Sequence, residues 1–178
     1  MSAEVVHSET VYDGRAFSVR RDRVRLPGGQ LSDLDVVVHP GAVTLVPIDD
    51  EGNLWMIRQY RHSAGRILLE LPAGTLEAGE APEACALREC REEIGMAPGR
   101  LARIGECFLA PGYSTEYMYF YLATGLQPAP LAGDSDEEIS TERVTTSQLA
   151  ELVGSGDLRD AKSLAALYLA RAWLEIGK

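Results

Sequence analysis

The chain has 178 residues, 46% of them apolar, and a formal net charge of −10 at pH 7. This length and apolar share predict one globular domain with a core, or one domain with a small appendage, and they exclude a disordered chain. The acidic balance argues against sequence-independent nucleic acid binding, which depends on Lys and Arg, and no stretch reaches the roughly 18 apolar residues of a membrane span.

The first 40 residues resemble a separate strand-rich unit. Extended segments alternate with a turn signal, and they are predicted as the strands Glu4–Thr10, Phe17–Leu26 and Leu31–His39 around the turn Pro27-Gly28-Gly29. We therefore predict an antiparallel N-terminal β unit over residues 1–40 and a main domain over residues 41–178. Because a small sheet with one exposed face is weak alone, this unit should pack on the main domain or on a second subunit.

The main domain alternates strands and helices. Strands are predicted over Val43–Ile48, Leu54–Tyr60, Ile67–Leu71, Leu101–Leu109, Glu116–Leu122 and Ile139–Val144, with a Pro- and Gly-containing loop over residues 123–136. Helices are predicted over residues 82–94, 145–153 and 160–176, the last with Leu164, Leu167, Tyr168 and Trp173 as core residues. Strands on either side of two sizeable helices predict an α/β fold with a mixed sheet and helices on both faces.

The helix over residues 82–94 has an unusual charge pattern. Pro82 suits a first helical position and Gly95 the residue just past the end. At 3.6 residues per turn, one face carries Leu87, Cys90 and Ile94, and nearly the opposite face carries Glu89, Glu92 and Glu93. A solvated amphipathic helix would also have a charged face. Three converging carboxylates, however, form the hard-oxygen site that Mg²⁺ or Mn²⁺ prefers.

The longer segment Gly74–Met96 distinguishes these two interpretations. It has Gly74, then Glu80 after five residues, Arg88-Glu89 after seven more, Glu92-Glu93, and Gly95. This pattern resembles the signature of the Nudix hydrolases at every position. The resemblance implies an α/β/α sandwich over about residues 41–178 and metal-dependent cleavage of a nucleoside diphosphate linked to a second group.

The resemblance also implies a ligand set. Glu89 and Glu93 are the implied Mg²⁺ ligands, with Mn²⁺ as a substitute, and Glu92 is a further ligand or holds the attacking water. The carbonyl of Ala73 is the implied backbone ligand. Glu80 and Arg88 are implied to be structural residues that tie the preceding loop to the helix.

Three further segments resemble the ADP-ribose pyrophosphatase branch of this family. They are Arg58-Gln59-Tyr60-Arg61 followed by Glu70-Leu71-Pro72-Ala73-Gly74, the Ala-Pro-Gly loop that contains Pro111 and Gly112, and Asp160-Ala161-Lys162-Ser163. The resemblance implies hydrolysis of ADP-ribose to AMP and ribose 5-phosphate. GDP-mannose or another nucleotide sugar is the alternative substrate, and a binding module that does not hydrolyse ADP-ribose is the third hypothesis.

Candidate substrate and catalytic residues follow from these segments. Arg61, and second Arg58, are predicted to bind phosphate, because a guanidinium grips phosphate oxygens in a fork; the alternative for each is a surface ion pair. Pro111 and Gly112 are predicted to line the substrate. By resemblance, Glu137 handles the attacking water, with Glu138 as the alternative and an acidic solvated loop as the other interpretation.

Cellular location and assembly complete the expectations. Cys85, Cys90 and Cys107 form an odd set without a CxxC pair, which is typical of reduced thiols in a cytoplasmic protein. The resemblance implies a homodimer in which the N-terminal unit is exchanged between subunits. No nucleic acid or membrane partner is expected.

Overall fold

The structure is a computed structural model, and it describes residues 2–133 and 138–174. By its internal contacts the chain forms two compact units. The first contains the residues up to Gly41 together with Phe108–Tyr117, and the second contains Ala42–Cys107 and the chain from Met118 onward.

The first unit is an antiparallel sheet in the order β1-β2-β3. Its strands are β1 (Glu4–Asp13), β2 (Ser18–Arg25) and β3 (Leu31–Val38). The buried carboxylate of Asp22 accepts hydrogen bonds from Ser8 Oγ at 2.6 Å and from Arg20 Nε at 2.9 Å, so the polar face of β2 is paired internally. The predicted antiparallel N-terminal strands are confirmed, and the division of the chain at residue 40 stays a prediction.

A four-stranded mixed sheet forms the centre of the second unit. Its order is β7-β4-β9-β8, with β4 parallel to β9 and antiparallel to β7. A three-stranded sheet has the order β10-β5-β6. The strands are β4 (Ala42–Pro47), β5 (Leu54–Arg61), β6 (Arg66–Glu70), β7 (Ala73–Thr75), β8 (Met96–Phe108), β9 (Tyr117–Pro128) and β10 (Ile139–Val144).

Three α-helices complete this unit: α1 (Pro82–Glu93), α2 (Leu149–Ser155) and α3 (Ala161–Leu174). Helix α1 ends before Gly95, whose φ of +70° is left-handed, as the sequence predicts. Helix α3 is capped by Asp160, whose Oδ2 accepts a hydrogen bond from Ser163 N at 3.0 Å. Both α1 and α3 pack against β4, which is buried along its whole length.

Among the described residues, no helix has the length and apolar character that crossing a membrane requires.

Two strands are longer than predicted. Strand β8 begins at Met96 rather than at residue 101, and β9 continues to Pro128 through a segment predicted as a loop. The backbones of Gly99 and Gly125 approach closely there, because a Cβ on Gly99 would lie 3.2 Å from the carbonyl oxygen of Gly125. Glycines that usually indicate a loop here allow two paired strands to come together.

The outer face of α3 also differs from expectation. Leu167 is buried as predicted, whereas Leu164, Tyr168 and Trp173 are 37%, 67% and 54% exposed. The predicted core role of these three residues is wrong within this chain, because α3 packs on β4 with Ser163, Ala166, Leu167, Ala170 and Leu174.

Candidate active site

Helix α1 is held against the sheet by small side chains. Cys85, Ala86 and Cys90 are fully buried, in one cluster with Val43 and Leu45 of β4. Leu87, predicted to lie on the apolar face, is instead 39% exposed. The small side chains let α1 approach the sheet closely. The buried face of α1 consists of Cys85, Ala86, Glu89, Cys90 and Glu93, and it is rotated from the predicted face that contained Leu87.

This rotation places two of the predicted metal ligands in the interior. Glu89 and Glu93 are each only 7% exposed, although their face of α1 was expected to be opposite the apolar stripe. They lie towards β7, the short strand that contacts α1. Their carboxylates are therefore buried polar groups, which need partners in the folded protein.

Glu93 finds such a partner in the backbone of β7. Its Oε2 accepts a hydrogen bond from Ala73 N at 2.8 Å. Ala73 is the residue whose carbonyl is the implied backbone ligand. This one hydrogen bond thus fixes the end of α1 to the start of strand β7.

Glu89 lies directly against the Cα of Gly74. A Cβ built on Gly74 would be 1.7 Å from Glu89 Oε1 and 1.9 Å from its Cδ. The backbone of Gly74 does not have a positive φ among the described glycines, so conformational freedom is not the reason for glycine here. Glycine is needed because the carboxylate occupies the space of a side chain.

Arg88 connects the carboxylates with the loop before the helix. Its guanidinium donates to Glu80 through Nε at 3.0 Å and Nη2 at 2.9 Å, to Glu89 Oε1 at 2.6 Å and to Glu92 Oε2 at 3.0 Å. The hydrogen bonds from Arg88 lower the pKa of Glu80 to about 2, and the same pairing raises the pKa of Arg88. The tie between loop and helix is thus present in the structure, as the resemblance implies.

The polar groups between β7 and α1 are of the kind that binds a hard divalent cation. Within residues 2–133 and 138–174, no group of three or more acidic, His or Cys side chains already stands in an arrangement that could hold one. Glu89 and Glu92 instead both accept hydrogen bonds from Arg88. The donors are carboxylate oxygens and a backbone carbonyl, the ligands Mg²⁺ prefers. The absent side chain of Gly74 is what allows Glu89 to reach the β7 backbone.

Cys85 and Cys90 of α1 are buried, and burial makes their thiols unreactive. Cys85 Sγ lies 3.6 Å from the carbonyl oxygen of Thr75, and burial raises the pKa of its thiol. Burial also raises the pKa of Cys90 to about 12. Both thiols stay protonated at neutral pH, and all three cysteines are free.

The two candidate phosphate-binding arginines have different surroundings. Arg58 donates from Nε to Glu142 at 2.5 Å and from Nη2 to Asp157 at 3.0 Å, the ion-pair arrangement named as its alternative role. Arg61 donates from Nε and Nη2 to the two oxygens of Glu70, at 2.9 and 2.7 Å, and its side chain is 33% exposed. Phosphate binding by either residue stays a prediction.

The remaining predicted residues are Pro111, Gly112, Glu137 and Glu138. Glu138 is exposed and precedes Ile139, which pairs with Gln59 of β5. Glu137 lies outside the described residues. Pro111 and Gly112 are exposed and belong to the first unit, in a turn closed by the bond from Tyr113 N to the carbonyl oxygen of Ala110 at 3.1 Å.

Sequence reasoning missed the partners of Arg61. Glu70 is 1% exposed and also pairs with Lys162 at the start of α3. A signal was present, because Glu70 is an acidic residue in an otherwise apolar run that was itself predicted as a strand. A charge in such a position needs an opposite charge nearby.

The segment from Gly74 to Gly95 folds as strand β7 followed by helix α1, with Glu89 and Glu93 against the strand, as expected of a Nudix-type α/β domain. Residues 38–167 match the family model described as the NUDIX domain, and residues 4–37 match that of the nucleoside diphosphate sugar hydrolase N-terminal domain. The chain belongs to the Nudix family, and the predicted family and mixed α/β fold are confirmed.

Named relatives agree with this assignment. An ADP-ribose pyrophosphatase of Mycobacterium tuberculosis is 40% identical over 172 residues, which cover 95% of this chain and 83% of that protein. A GDP-mannose pyrophosphatase of Enterobacter sp. (strain 638) is 34% identical over 137 residues, 71% of each chain. A crystal structure of an ADP compounds hydrolase is similar with a TM-score of 0.88 and 28% identity, covering 98% of this chain and 95% of that one.

Proposed function

We propose that the protein is a Mg²⁺-dependent Nudix pyrophosphatase that hydrolyses ADP-ribose to AMP and ribose 5-phosphate, with Mn²⁺ as a substitute ion. The observation that carries this proposal is the placement of Glu89 and Glu93 against Ala73 and Gly74 of β7. The relative named as an ADP-ribose pyrophosphatase supports the choice of substrate, because it aligns with nearly the whole chain.

A divalent ion held by Glu89, Glu92, Glu93 and the Ala73 carbonyl would neutralise charge on the diphosphate oxygens and favour deprotonation of a water. The chain supplies the positioning. Arg88 holds Glu89 and Glu92 in place, and the N–H of Ala73 holds Glu93. These contacts hold the carboxylates on the β7 side of α1 before substrate arrives, and a bound ion would draw them together, because no three of the described side chains already form a metal-binding group.

Other residues would complete the site. Arg61 is proposed to bind a substrate phosphate, which gives an acidic chain a local positive charge where the anionic substrate needs one. Arg58 has the second claim to this role, and Pro111 and Gly112 are proposed to line the substrate. Glu137 is proposed as the residue that positions or deprotonates the attacking water, with Glu138 as the alternative.

A second candidate keeps the chemistry and changes the sugar nucleotide. The relative named as a GDP-mannose pyrophosphatase favours GDP-mannose as the alternative substrate. A module that binds ADP-ribose without hydrolysing it is disfavoured, because Glu89, Glu92 and Glu93 are all present.

A substrate panel tests the proposal. The protein is incubated with ADP-ribose, GDP-mannose and other nucleotide sugars, with Mg²⁺, with Mn²⁺ or with EDTA, and the released nucleoside monophosphate is measured. We expect AMP from ADP-ribose, no AMP in EDTA, and recovery when Mg²⁺ is restored. Faster release of GMP from GDP-mannose would establish the second candidate, and no turnover of any compound between pH 7 and 9 would overturn both.

We also propose a homodimer assembled through the N-terminal β unit, residues 1–40, with residues 41–178 as the catalytic domain. The sheet of the first unit exposes large apolar side chains, which a second subunit would cover; they are Val5, Val6, Val11, Tyr12, Phe17, Leu31 and Leu34. Light scattering coupled to size-exclusion chromatography tests this, and a monomer mass at micromolar concentration would refute it. A cytoplasmic location stays a prediction.

A further inference from the structure

A network of charged groups, separate from the glutamates of α1, joins β5, β6 and α3. Glu70 of β6 is 1% exposed, and its two oxygens accept from Nε and Nη2 of Arg61. Glu70 Oε2 also accepts from Nζ of Lys162, whose side chain is 12% exposed. One buried carboxylate is therefore divided between two cations.

The strand register does not impose this arrangement. Glu70 pairs with Ile57 in the β5–β6 ladder, and Arg61 pairs with Arg66. Arg61 lies four residues beyond Ile57, so its side chain must extend back along β5 to reach Glu70. The bidentate pair is thus a specific side-chain choice and not the consequence of being cross-strand neighbours.

The start of α3 holds the other end of the network. Lys162 also donates to Asp160 Oδ2 at 2.9 Å, and Ser163 Oγ donates to the same oxygen at 2.6 Å. Ser163 Oγ in turn accepts from Leu71 N at 2.8 Å, the residue after Glu70. Burial disfavours the charged form of Asp160, yet the charge of Lys162 and these hydrogen bonds hold its pKa below the usual range.

Stability alone does not explain why a charge is kept here. Replacing a buried ion pair by apolar side chains of similar volume is often neutral or stabilising, so the pair is poor evidence for a purely structural role. What apolar residues would not supply is a fixed orientation for a guanidinium that remains one-third exposed.

We propose that Glu70 is a positioning residue: it fixes the guanidinium of Arg61 in one orientation for a substrate phosphate, and Lys162 anchors the Glu70 carboxylate to the start of α3. This inference rests on the proposed function, because it takes the phosphate to be that of a nucleotide sugar. Glu70 is three residues before Ala73, so the same chain segment leads from this network to the implied metal ligand.

Two variants at one position test the inference. Glu70→Gln removes the charge, and Glu70→Asp keeps the charge but withdraws it by one methylene. Affinity for ADP-ribose is measured by calorimetry in EDTA, where no turnover occurs, and kcat and KM are measured with Mg²⁺. We expect both variants to weaken binding by about three- to tenfold, because an unrestrained arginine side chain must then be ordered by the substrate, with kcat little changed.

Controls separate positioning from stability. Asp49→Ala removes the carboxylate that accepts from Asn53 N at 2.7 Å in the turn before β5, outside the network, so it should lower the melting temperature without changing the affinity. In an Arg61→Ala background, Glu70→Gln should have no further effect on affinity. If Glu70→Gln does not fold, Glu70→Asp still decides the matter, because it keeps the opposite charge for both cations.

Three outcomes would overturn the inference. They are unchanged affinity in the Glu70 variants, an equal loss of affinity with and without Arg61, and a loss confined to kcat. Each of these leaves wild-type hydrolysis intact, so the proposed function would survive. A wild-type protein that neither binds nor hydrolyses any nucleotide sugar would instead overturn the proposed function, and this inference with it.

Discussion

Gly74→Ala is the substitution that most directly tests the contact between Gly74 of β7 and the carboxylate of Glu89 on α1. The new Cβ would lie 1.7 Å from Glu89 Oε1, 1.9 Å from Cδ and 2.6 Å from Cγ. Because Gly74 is not in a left-handed conformation, the substitution does not strain the backbone. The whole carboxylate of Glu89 must move instead.

The size of this movement sets the expected effect. The oxygen must withdraw by about 1.7 Å before it reaches the ordinary contact distance of 3.4 Å. A misplacement of about 1 Å in a catalytic group costs on the order of a hundredfold in rate, so kcat/KM should fall by about 100-fold. The collision is with the end of a flexible side chain, so unfolding free energy should fall by only about 1–2 kcal/mol.

The assay compares Gly74→Ala with Gly154→Ala. A Cβ on Gly154 meets nothing within 4 Å, and this glycine lies in α2, where Ala is the better helix former. Hydrolysis of ADP-ribose with Mg²⁺ and urea unfolding are measured for both. Wild-type turnover in Gly74→Ala would refute the role of the Glu89 position, and an unfolded Gly74→Ala would show that the carboxylate has no room to move.

Two further substitutions address Glu93 and Glu80. Glu93→Gln should lower kcat by at least about 100-fold through loss of a charged metal ligand, while the melting temperature stays near wild type, because the Gln oxygen still accepts from Ala73 N; undiminished kcat would refute the ligand role. Glu80→Gln should lower urea stability at pH 7. The Glu80 pKa falls from 4.5 to about 2 on folding, so this stabilisation is complete above pH 4.5 and is lost towards pH 2. A difference between Glu80→Gln and wild type that does not shrink over this range would contradict the assignment.

The limits of helix α1 were predictable from sequence, because they depend on local signals. Pro82 and Gly95 have conformational preferences that hold in any context. The metal-ligand role of the glutamates, which stays a prediction, likewise rests on the pattern within Gly74–Met96. Both kinds of signal are contained within a few residues of chain.

The burial of the same glutamates was not predictable. A helical projection gives the angle between Leu87 and Glu93, but not which face another element covers. Strand β7 covers the glutamate face, and it does so because Gly74 leaves room for a carboxylate. Glu93→Gln is therefore expected to fold because the backbone bond from Ala73 N is kept, and not because the side chain is exposed to solvent as the projection suggests.

The length of β9 and the network at Glu70 required tertiary information for the same reason. Gly125 is a residue type that usually indicates a loop. Its place within β9, next to Gly99 of β8, is visible only in the folded structure. The pairing of Glu70 with Lys162 joins residues 92 positions apart. Patterns read within a window of the chain do not contain such contacts.

The contact between Leu71 and Ser163 has a consequence for how the protein matures. Helix α3 spans Ala161–Leu174, far beyond β6 in the chain, and domains begin to fold as they leave the ribosome. The bonds that hold Leu71 and Glu70 to α3 therefore cannot form until α3 itself has been synthesised and has emerged. Deletion of α3 or proteolysis within it should thus harm the glutamates of α1, which are translated about 70 codons earlier.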